Sequence, residues 1–257
     1  MIKLLTSVFA LICSLVWGAN DIVYHTFKPN DNAITWVSGG GNNLVAQFSV
    51  FPPDNSVWAL LFTDGDARDY STNVFNATAS GGVSFGSGYC TLDGIDGYLY
   101  LDDNPMFEFT SGNFTAAGWV RFNVFPGDGI YPSIIGKLDD YVGWGIFKND
   151  GGALTFRLWD GGWDFSYPYT TTAEWLHVAM VLDDTNCIAY VNGTNVYNAA
   201  ATNPGATANP TIVGQHYGGS GNYGFLDGDV DDIILVNTAL SSNQVYLLYQ
   251  HGKDEGK

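Results

Sequence analysis

Glutamate and lysine are scarce in this chain, with only three Glu and six Lys among 257 residues. Both are good helix formers, so their scarcity argues against a predominantly helical protein. Glycine occurs 32 times, and hydrophobic residues make up 46% of the chain. This composition predicts one large all-β domain, in which many short strands and turns surround a sizeable core.

Basic residues are also few, because nine Lys and Arg stand against 26 Asp and Glu, for a formal net charge of −17. A surface this acidic repels phosphate backbones and anionic lipid, which excludes nucleic acid as a partner. It is compatible with calcium, neutral sugars or cationic partners, and also with a simple role in solubility.

Cysteine is nearly absent, with three residues in the whole chain. Cys13 lies in the apolar N-terminal stretch, which leaves Cys90 and Cys187, both in apparent strands. An oxidising compartment would permit a disulfide between these two. The alternative is that they are two small buried hydrophobic residues, because sequence alone does not give their separation.

Long apolar runs are missing except at the start of the chain. Residues 4–17 are apolar, Lys3 precedes them, and Gly18 and Ala19 follow as small residues suited to cleavage. The pattern predicts a secretory signal peptide over residues 1–19, since the run is short for a membrane span. We therefore expect a secreted, extracellular or cell-surface protein without membrane insertion, ending in a polar tail over residues 253–257.

The clearest strand pattern lies in the second half of the chain. Residues 175–182 are apolar on both faces apart from His177, residues 183–186 are turn formers, and residues 187–191 are apolar again. Asn192-Gly193 follows, the dipeptide typical of a type I′ hairpin turn. These features predict three antiparallel strands in a meander.

Further candidate strands recur at short, regular spacing, which predicts a sandwich or barrel. They cover residues 58–62, 82–85, 89–92, 98–101, 115–125, 133–137, 143–148, 153–159, 210–214 and 230–236. Residues 20–55 contain two strand-like stretches on either side of a glycine-rich turn, and they predict a hairpin with a linker. That extension could lie on the domain surface or pair with a neighbouring molecule in self-assembly.

One helix is predicted, at the end of the chain. Ser241 and Gln244 match a capping box, and Val245, Leu248 and Tyr249 share one helical face. Gly252 is predicted to end the helix.

Five stretches, taken together, resemble a known family. They are LDGIDGYL (92–99), FTAAGWV (114–120), EWLHVA (174–179), AYVNG (189–193), and FLDGDVDDI (225–233) with NTALS (237–241). In this order they are similar to the laminin-G-like jelly-roll domains of the concanavalin A-like lectin/glucanase superfamily. The resemblance covers residues 56–252 and implies two stacked antiparallel sheets, one of them concave, closed by a short C-terminal helix.

Sugar-cleaving members of this superfamily usually carry a Glu-x-Asp-x-x-Glu motif on one strand, which places a carboxylate pair on one face. The three glutamates here, Glu108, Glu174 and Glu255, do not form it. Adjacent aspartates such as Asp231-Asp232 would point to opposite faces of an extended strand. His177 is interpreted as a core histidine rather than a catalytic base. We therefore expect a non-enzymatic protein.

The resemblance also implies a structural calcium ion. Residues 69–76 are similar to a calcium loop of the family, although they lack its glycines, and the late strand supplies an aspartate. Calcium takes carboxylate, amide and carbonyl oxygens. The expected ligands are Asp69, Asn73, Asn76 and Asp231.

Aromatic side chains suggest a glycan-binding surface, because sugar rings stack on flat amphipathic rings. Polar side chains lie near them and could bond sugar hydroxyls. The candidate ligand-binding residues are Trp159, Trp163, Tyr167, Tyr169, Asp160 and Asp164, with Phe165 and Asn149 nearby. The alternative is that these rings belong to the core of the sandwich.

Three N-x-S/T sequences make Asn76, Asn113 and Asn192 glycosylation candidates, with Asn192 at a predicted hairpin tip.

These observations support a secreted, non-catalytic, lectin-like module that holds a carbohydrate or glycoprotein and is braced by calcium. An alternative is a structural subunit of an extracellular filament or surface layer that assembles through residues 20–55. A glycoside hydrolase is the third hypothesis.

Overall fold

The computed structural model describes residues 52–257, except residues 54, 87, 126, 128, 129, 140, 150, 151, 160–162, 219 and 220. The predicted signal peptide and almost all of the predicted extension lie outside the described residues. In the described part, seventeen strands precede one helix.

The first eight strands are β1 (Ser56–Leu60), β2 (Thr78–Ser80), β3 (Val83–Gly86), β4 (Tyr89–Asp93), β5 (Tyr98–Leu101), β6 (Phe114–Phe122), β7 (Ser133–Leu138) and β8 (Gly143–Lys148). They are followed by β9 (Ala153–Trp159), β10 (Trp163–Pro168), β11 (Leu176–Asp183), β12 (Asn186–Val191), β13 (Thr194–Ala200), β14 (Thr211–Val213), β15 (Gln215–Gly218), β16 (Gly221–Phe225), β17 (Asp227–Val236) and the helix α1 (Ser242–Asp254). A short 3₁₀ turn, Pro105–Phe107, lies between β5 and β6.

The strands form two antiparallel sheets. The first sheet has the order β13-β12-β11-β6-β17-β4-β3, and β1 also pairs with β17. The second sheet has the order β10-β9-β8-β7-β14-β5-β2, and β15 and β16 form a separate hairpin. This arrangement confirms the predicted all-β, jelly-roll-like sandwich with one C-terminal helix.

The predicted meander is confirmed as β11, β12 and β13, which are consecutive in the first sheet. Val191 pairs with Thr194 across a two-residue turn, and its central residues Asn192 and Gly193 have φ of 48° and 72°. Positive φ at both positions is the requirement of a type I′ turn, which is why the Asn-Gly dipeptide identified the hairpin.

Alternation along the strands decides which side chains form the core. On β9, Leu154, Phe156 and Leu158 are buried among the apolar residues between the sheets, so Arg157 and Trp159 lie on the outer face. The predicted strands 98–101, 143–148 and 153–159 are confirmed with their bounds unchanged, whereas β2, β15 and β16 were missed. These three are short or rich in glycine, and their pairing depends on distant partners.

The motif LDGIDGYL forms the turn between β4 and β5. The Asp93 carboxylate accepts hydrogen bonds from the backbone amides of Ile95, Asp96 and Gly97 at 2.9 to 3.1 Å. These bonds lower the pKa of Asp93, because they favour its charged form. The motif is therefore a structural turn.

Helix α1 begins as predicted but continues beyond its predicted end. The hydroxyl of Ser241 accepts from the Gln244 amide, and the Gln244 side chain accepts from the Ser241 amide at 2.9 Å, which confirms the capping box. Gly252 does not end the helix. It is buried inside it, and a Cβ there would lie 2.2 Å from Trp119 Nε1. Gly252 is therefore needed for close packing on β6.

The helix ends in a Schellman motif centred on Gly256, whose φ is 95°. The amide of Lys257 donates to the Gly252 carbonyl at 3.0 Å, and the amide of Gly256 donates to the Lys253 carbonyl at 3.1 Å. Residues 253–257, predicted as a separate polar tail, are the end of α1 and its cap.

Helix α1 covers part of the outer face of the first sheet. Tyr249 stacks on Trp119 with ring centroids 5.6 Å apart, and the hydroxyls of Tyr190 and Ser242 lie 2.9 Å apart. Among the described residues, no helix has the length and apolar character needed to cross a membrane.

Of the two alternatives for the cysteines, the structure contradicts the candidate disulfide. Cys90 on β4 and Cys187 on β12 are both free and buried, and three strands of the first sheet separate them. Four strand spacings correspond to about 19 Å, whereas bridged cysteines have Cα atoms less than about 7 Å apart. Burial raises the pKa of both thiols. The alternative, two small buried residues, is confirmed.

Replacing Gly252 by alanine tests the packing of α1. Glycine-to-alanine changes inside a helix normally stabilise by about 0.5–1 kcal/mol. Here the added methyl group meets Trp119, so we expect Gly252→Ala to destabilise the domain by roughly 1–3 kcal/mol in urea unfolding. The exposed control Asn243→Ala should change stability by less than about 0.5 kcal/mol. A more stable Gly252→Ala protein would contradict this account of the helix contact.

Candidate functional site

The two outer faces of the sandwich differ. The first sheet is covered by α1, and beside the helix the Arg121 guanidinium lies 4.9 Å from the Trp175 ring and pairs with Asp229 at 2.8 Å. Among the described residues, no helix covers the outer face of the second sheet. Much of that face is nevertheless buried, including Leu138 and Phe147, and its exposed part lies around Tyr141.

Two glycines on β8 lie beside strand β9. Gly143 and Gly145 are directly opposite Trp159 and Arg157 on β9. A Cβ on Gly145 would lie 2.6 Å from Leu138 Cδ1, so the Leu138 side chain packs over this glycine. Both glycines are buried, and Trp159 and Arg157 therefore lie at the border of a covered region.

Arg157 is fixed between two rings and a carboxylate. Its guanidinium carbon lies 4.4 Å from the Trp159 ring centroid and 5.0 Å from that of Phe147. Its Nε donates to Asp164 Oδ2 at 2.8 Å. A cation held over both rings stabilises their orientation, with each contact worth about 0.5–1 kcal/mol at an exposed site.

Tyr141 extends this cluster into solvent. It is 83% exposed, yet its ring lies nearly parallel to that of Trp159, at a centroid distance of 5.9 Å and an angle of 22°. We call Tyr141 and Trp159 the aromatic platform. An exposed ring pair on an open face is typical of a binding surface.

The other predicted aromatic ligands lie on the opposite side of the second sheet. Trp163 is buried, and Tyr167 and Tyr169 are half-buried and pack on the core. Phe165 stacks on Tyr197 of β13 at 4.2 Å. Their alternation, correctly recognised in the sequence, places them on the inner face, so they are core residues rather than ligand contacts.

The structure therefore brings together only two of the predicted ligand residues, Trp159 and Asp164. Asp160 lies outside the described residues. Tyr141 and Arg157 were missed. Arg157 is one of three arginines in the chain, and its alternation with Trp159 on one strand was a usable signal. Tyr141 lies in a loop, and no sequence pattern pointed to it.

Asp69 is the centre of a hydrogen-bonded loop. Its Oδ1 accepts from the amides of Ala59 and Ser71 at 2.9 and 2.8 Å. Its Oδ2 accepts from the Ser71 hydroxyl and the Phe75 amide, both at 2.7 Å. Four protein donors therefore occupy both carboxylate oxygens, and they leave little room for a cation.

The other residues of this loop also bond to protein. Asn76 accepts from the Asp69 amide at 3.0 Å, and the Asn73 amide group donates to the Val57 carbonyl at 3.1 Å. The amide of Tyr70 donates to the Ala59 carbonyl. The loop thus satisfies the backbone of β1 along its open side.

Asp231 lies elsewhere, beneath the end of α1. The Lys257 ammonium contacts Asp231 at 2.9 Å, Asp232 at 2.6 Å and Glu255 at 3.0 Å, and its side chain is only 6% exposed. The two aspartates were expected to point to opposite faces of an extended strand, but the strand is not extended here. Asp232 has φ of 46° and lies in a bulge, so both carboxylates reach one ammonium.

The four predicted calcium ligands therefore form no common site. Asp69, Asn73 and Asn76 stabilise a loop, and Asp231 pairs with a lysine. Ligand atoms of Asp232, His251 and Glu255 lie within 4.8 Å of one another, but the Lys257 ammonium contacts both acids of this group. Calcium binding stays a prediction, and the residues named for it do not fit the ion.

Burial governs the charges of this cluster. It raises the pKa of Asp231 well above the usual value and raises that of Asp232, against the pull of Lys257. Burial also acts to lower the pKa of Lys257, but the two aspartates outweigh it and raise that pKa. The Lys257 ammonium is therefore the group that partly offsets the cost of burying the two aspartates under the helix.

His177 is a core residue, as predicted. It is buried, its ring lies 5.3 Å from that of Trp119, and burial lowers its pKa to about 3. It is neutral at physiological pH.

The three glycosylation candidates differ in exposure. Asn76 and Asn192 are exposed, whereas Asn113 is half-buried and accepts from the Asp184 amide at 2.8 Å. Glycosylation stays a prediction at all three.

Replacing Lys257 by methionine tests the buried ion cluster. The change leaves two buried carboxylates without their cation, which should cost about 3–5 kcal/mol at pH 7 in urea unfolding. A group whose pKa is raised on folding favours the folded state most at a pH below its unfolded pKa, which is about 3.9 for Asp, and this effect is lost as the pH rises. At low pH the two aspartates are protonated in the folded and the unfolded state alike, and they no longer need the ammonium. The deficit of Lys257→Met should therefore shrink as the pH falls towards 4.

The control is Lys253→Met, an exposed lysine on the same helix, which should have a small effect at every pH. A Lys257→Met deficit that is small at pH 7, or that grows on acidification, would show that the ammonium is not what stabilises the buried carboxylates.

Comparison with solved structures finds similar folds at low sequence identity. The binding domain of Paraclostridial mosquitocidal protein 1 matches with a TM-score of 0.63 and 19% identity, over 77% of this chain and 52% of that one. A botulinum neurotoxin DC binding domain in complex with SialylT matches with a TM-score of 0.60 and 16% identity, over 77% of this chain and 51% of that one. This chain thus spans about half the length of these toxin domains.

A third match covers nearly the whole of its counterpart. It is domain 4 of AbnA, an extracellular arabinanase from Geobacillus stearothermophilus, in complex with arabinotriose, at a TM-score of 0.60 and 17% identity, over 76% of this chain and 98% of that one. A search of curated proteins finds no match. At these identities the structural matches establish the fold alone.

A sequence profile of the Laminin_G_3 family matches residues 93–246, more than half of the chain and the part that holds most strands of both sheets and the start of α1. The chain belongs to this family of the concanavalin A-like lectin/glucanases superfamily.

Proposed function

We propose that this domain is a secreted, non-catalytic module that binds carbohydrate, alone or on a glycoprotein, through the outer face of its second sheet. The observation that carries the proposal is the aromatic platform, in which the exposed Tyr141 stacks beside Trp159 of the second sheet.

The platform has the chemistry that a sugar requires. The C–H faces of a sugar ring pack on flat aromatic rings, while its hydroxyls need fixed donors and acceptors. Arg157 and Asp164 supply these beside Trp159, and their mutual hydrogen bond at 2.8 Å keeps both in place. The surface open to a sugar ring is the Tyr141 ring, which is 83% exposed.

The relatives support a binding role. The arabinanase domain was solved with arabinotriose, and a botulinum neurotoxin type C is described as entering cells through two ganglioside molecules. Most of the similar structures are binding domains of larger proteins. These are properties of those proteins, and they favour a glycan or glycoprotein as the partner here.

The burial and pairing of the carboxylates favour a binding role over hydrolysis. Among the described residues, Asp231 and Asp232 converge, but they are buried under α1 and engaged by Lys257. A glycosidase needs two carboxyl groups that flank an accessible sugar bond. Secretion is proposed on the pattern of residues 1–19.

Removing either ring of the aromatic platform should weaken glycan binding. We expect Trp159→Ala and Tyr141→Ala each to weaken binding at least tenfold, about 1.4 kcal/mol, in titration calorimetry. The probes are arabinotriose and the strongest hits of an array of neutral and sialylated oligosaccharides. The control is Tyr246→Ala, which removes a ring on α1 that is 50% exposed.

Repeating the titration with EDTA tests the calcium prediction separately. Because protein groups already engage Asp69 and Asp231, we expect no change in affinity. Unchanged binding in both platform variants would refute the proposed site, and an array without any hit would refute the carbohydrate ligand itself.

A further inference from the structure

Strand β13 leaves one edge of the first sheet unpaired. It is seven residues long, pairs only with β12, and is the last strand of the sheet. Asn195 and Asn198 are exposed, and Tyr197, which stacks on Phe165 between the two sheets, is still 38% exposed. In the described part of the chain, nothing covers the outer side of this strand.

The other edges of the sandwich are protected. Strands β2 and β3 have only three and four residues. Strand β10 carries the exposed Asp164 and Pro168, a charge and a residue without an amide hydrogen. The open side of β1 is covered by the Asp69 loop. Short length, charge, proline, bulges and covering loops are the usual devices that prevent strand addition, and among the described residues β13 has only a bulge, at Val196 in its pairing with β12.

The charge distribution makes β13 the place where a second copy can approach. The chain carries a formal net charge of −17, yet the 42 residues from Thr185 to Leu226 contain no Asp, Glu, Lys or Arg. Two copies repel each other over most of their surfaces. The exposed part of this neutral segment includes the whole of β13.

We propose that β13 pairs with β13 of a second copy of this chain, in antiparallel register about a two-fold axis. The pairing extends the first sheet across both copies and satisfies the unpaired backbone groups of each edge. It also covers the half-exposed Tyr197. Because the same edge is used by both partners, the assembly closes at a dimer.

Lysines placed on the edge test this interface. We expect the mature chain, residues 20–257, to sediment as a concentration-dependent dimer. Asn195→Lys with Asn198→Lys should weaken dimerisation at least tenfold, since edge lysines oppose strand pairing. The control pair, Thr172→Lys with Asn243→Lys, makes the same change in net charge at exposed positions elsewhere. Both double variants reduce the electrostatic repulsion between two copies by the same amount. A dimer weakened only by the edge variant therefore reports a local effect at β13.

Hydrogen exchange gives a second readout. The amides of β13 should exchange more slowly at concentrations where the dimer forms, and this protection should be lost in the edge variant but not in the control. Circular dichroism checks that both variants fold. A chain that is monomeric at all concentrations, a dimer that the edge lysines leave intact, or an assembly that grows beyond a dimer would overturn the proposal.

Discussion

The packing of α1 on the first sheet is the contact that makes the two outer faces of the sandwich different. Gly252 lets the helix approach Trp119 closely, and the Schellman motif then turns the chain so that the Lys257 ammonium reaches two buried aspartates. One outer face is thereby sealed by ring packing and charge pairing together. The opposite face keeps its rings available to solvent.

Sequence reasoning succeeded where the determinants are local. The Asn192-Gly193 turn, the Ser241 and Gln244 cap and the alternation along β9 each depend on the conformational preferences of a few neighbouring residues. The five family motifs then supplied the topology, which local preferences alone do not contain. Gly252 shows the limit, because a helix-ending glycine and a contact glycine look the same until the partner, Trp119, is known.

The candidate site was predicted only in part, for a similar reason. Alternation places Trp163, Tyr167 and Tyr169 on one face of β10, but it does not say whether that face meets the core or water. Trp159 belongs to the preceding strand, where its register partner is Gly143 and not a core residue. Asp69 and Asp231 have the ligand chemistry of a calcium site. Ser71 bonds Asp69 at the two-residue spacing of an Asx turn, which was a usable local signal. Lys257, which pairs with Asp231, is distant in sequence, and no spacing rule connects the two.

The free edge of β13 has a consequence for affinity. An antiparallel pairing about a two-fold axis keeps the same face of the joined sheet towards the same side, so both second sheets, with their platforms, lie on one side of the dimer. Under the proposed function, two sites held in this way would engage a surface that displays repeated glycans as a bivalent unit, and the second attachment would be intramolecular. Avidity on a dense glycan coat would then exceed the affinity measured with a single soluble oligosaccharide.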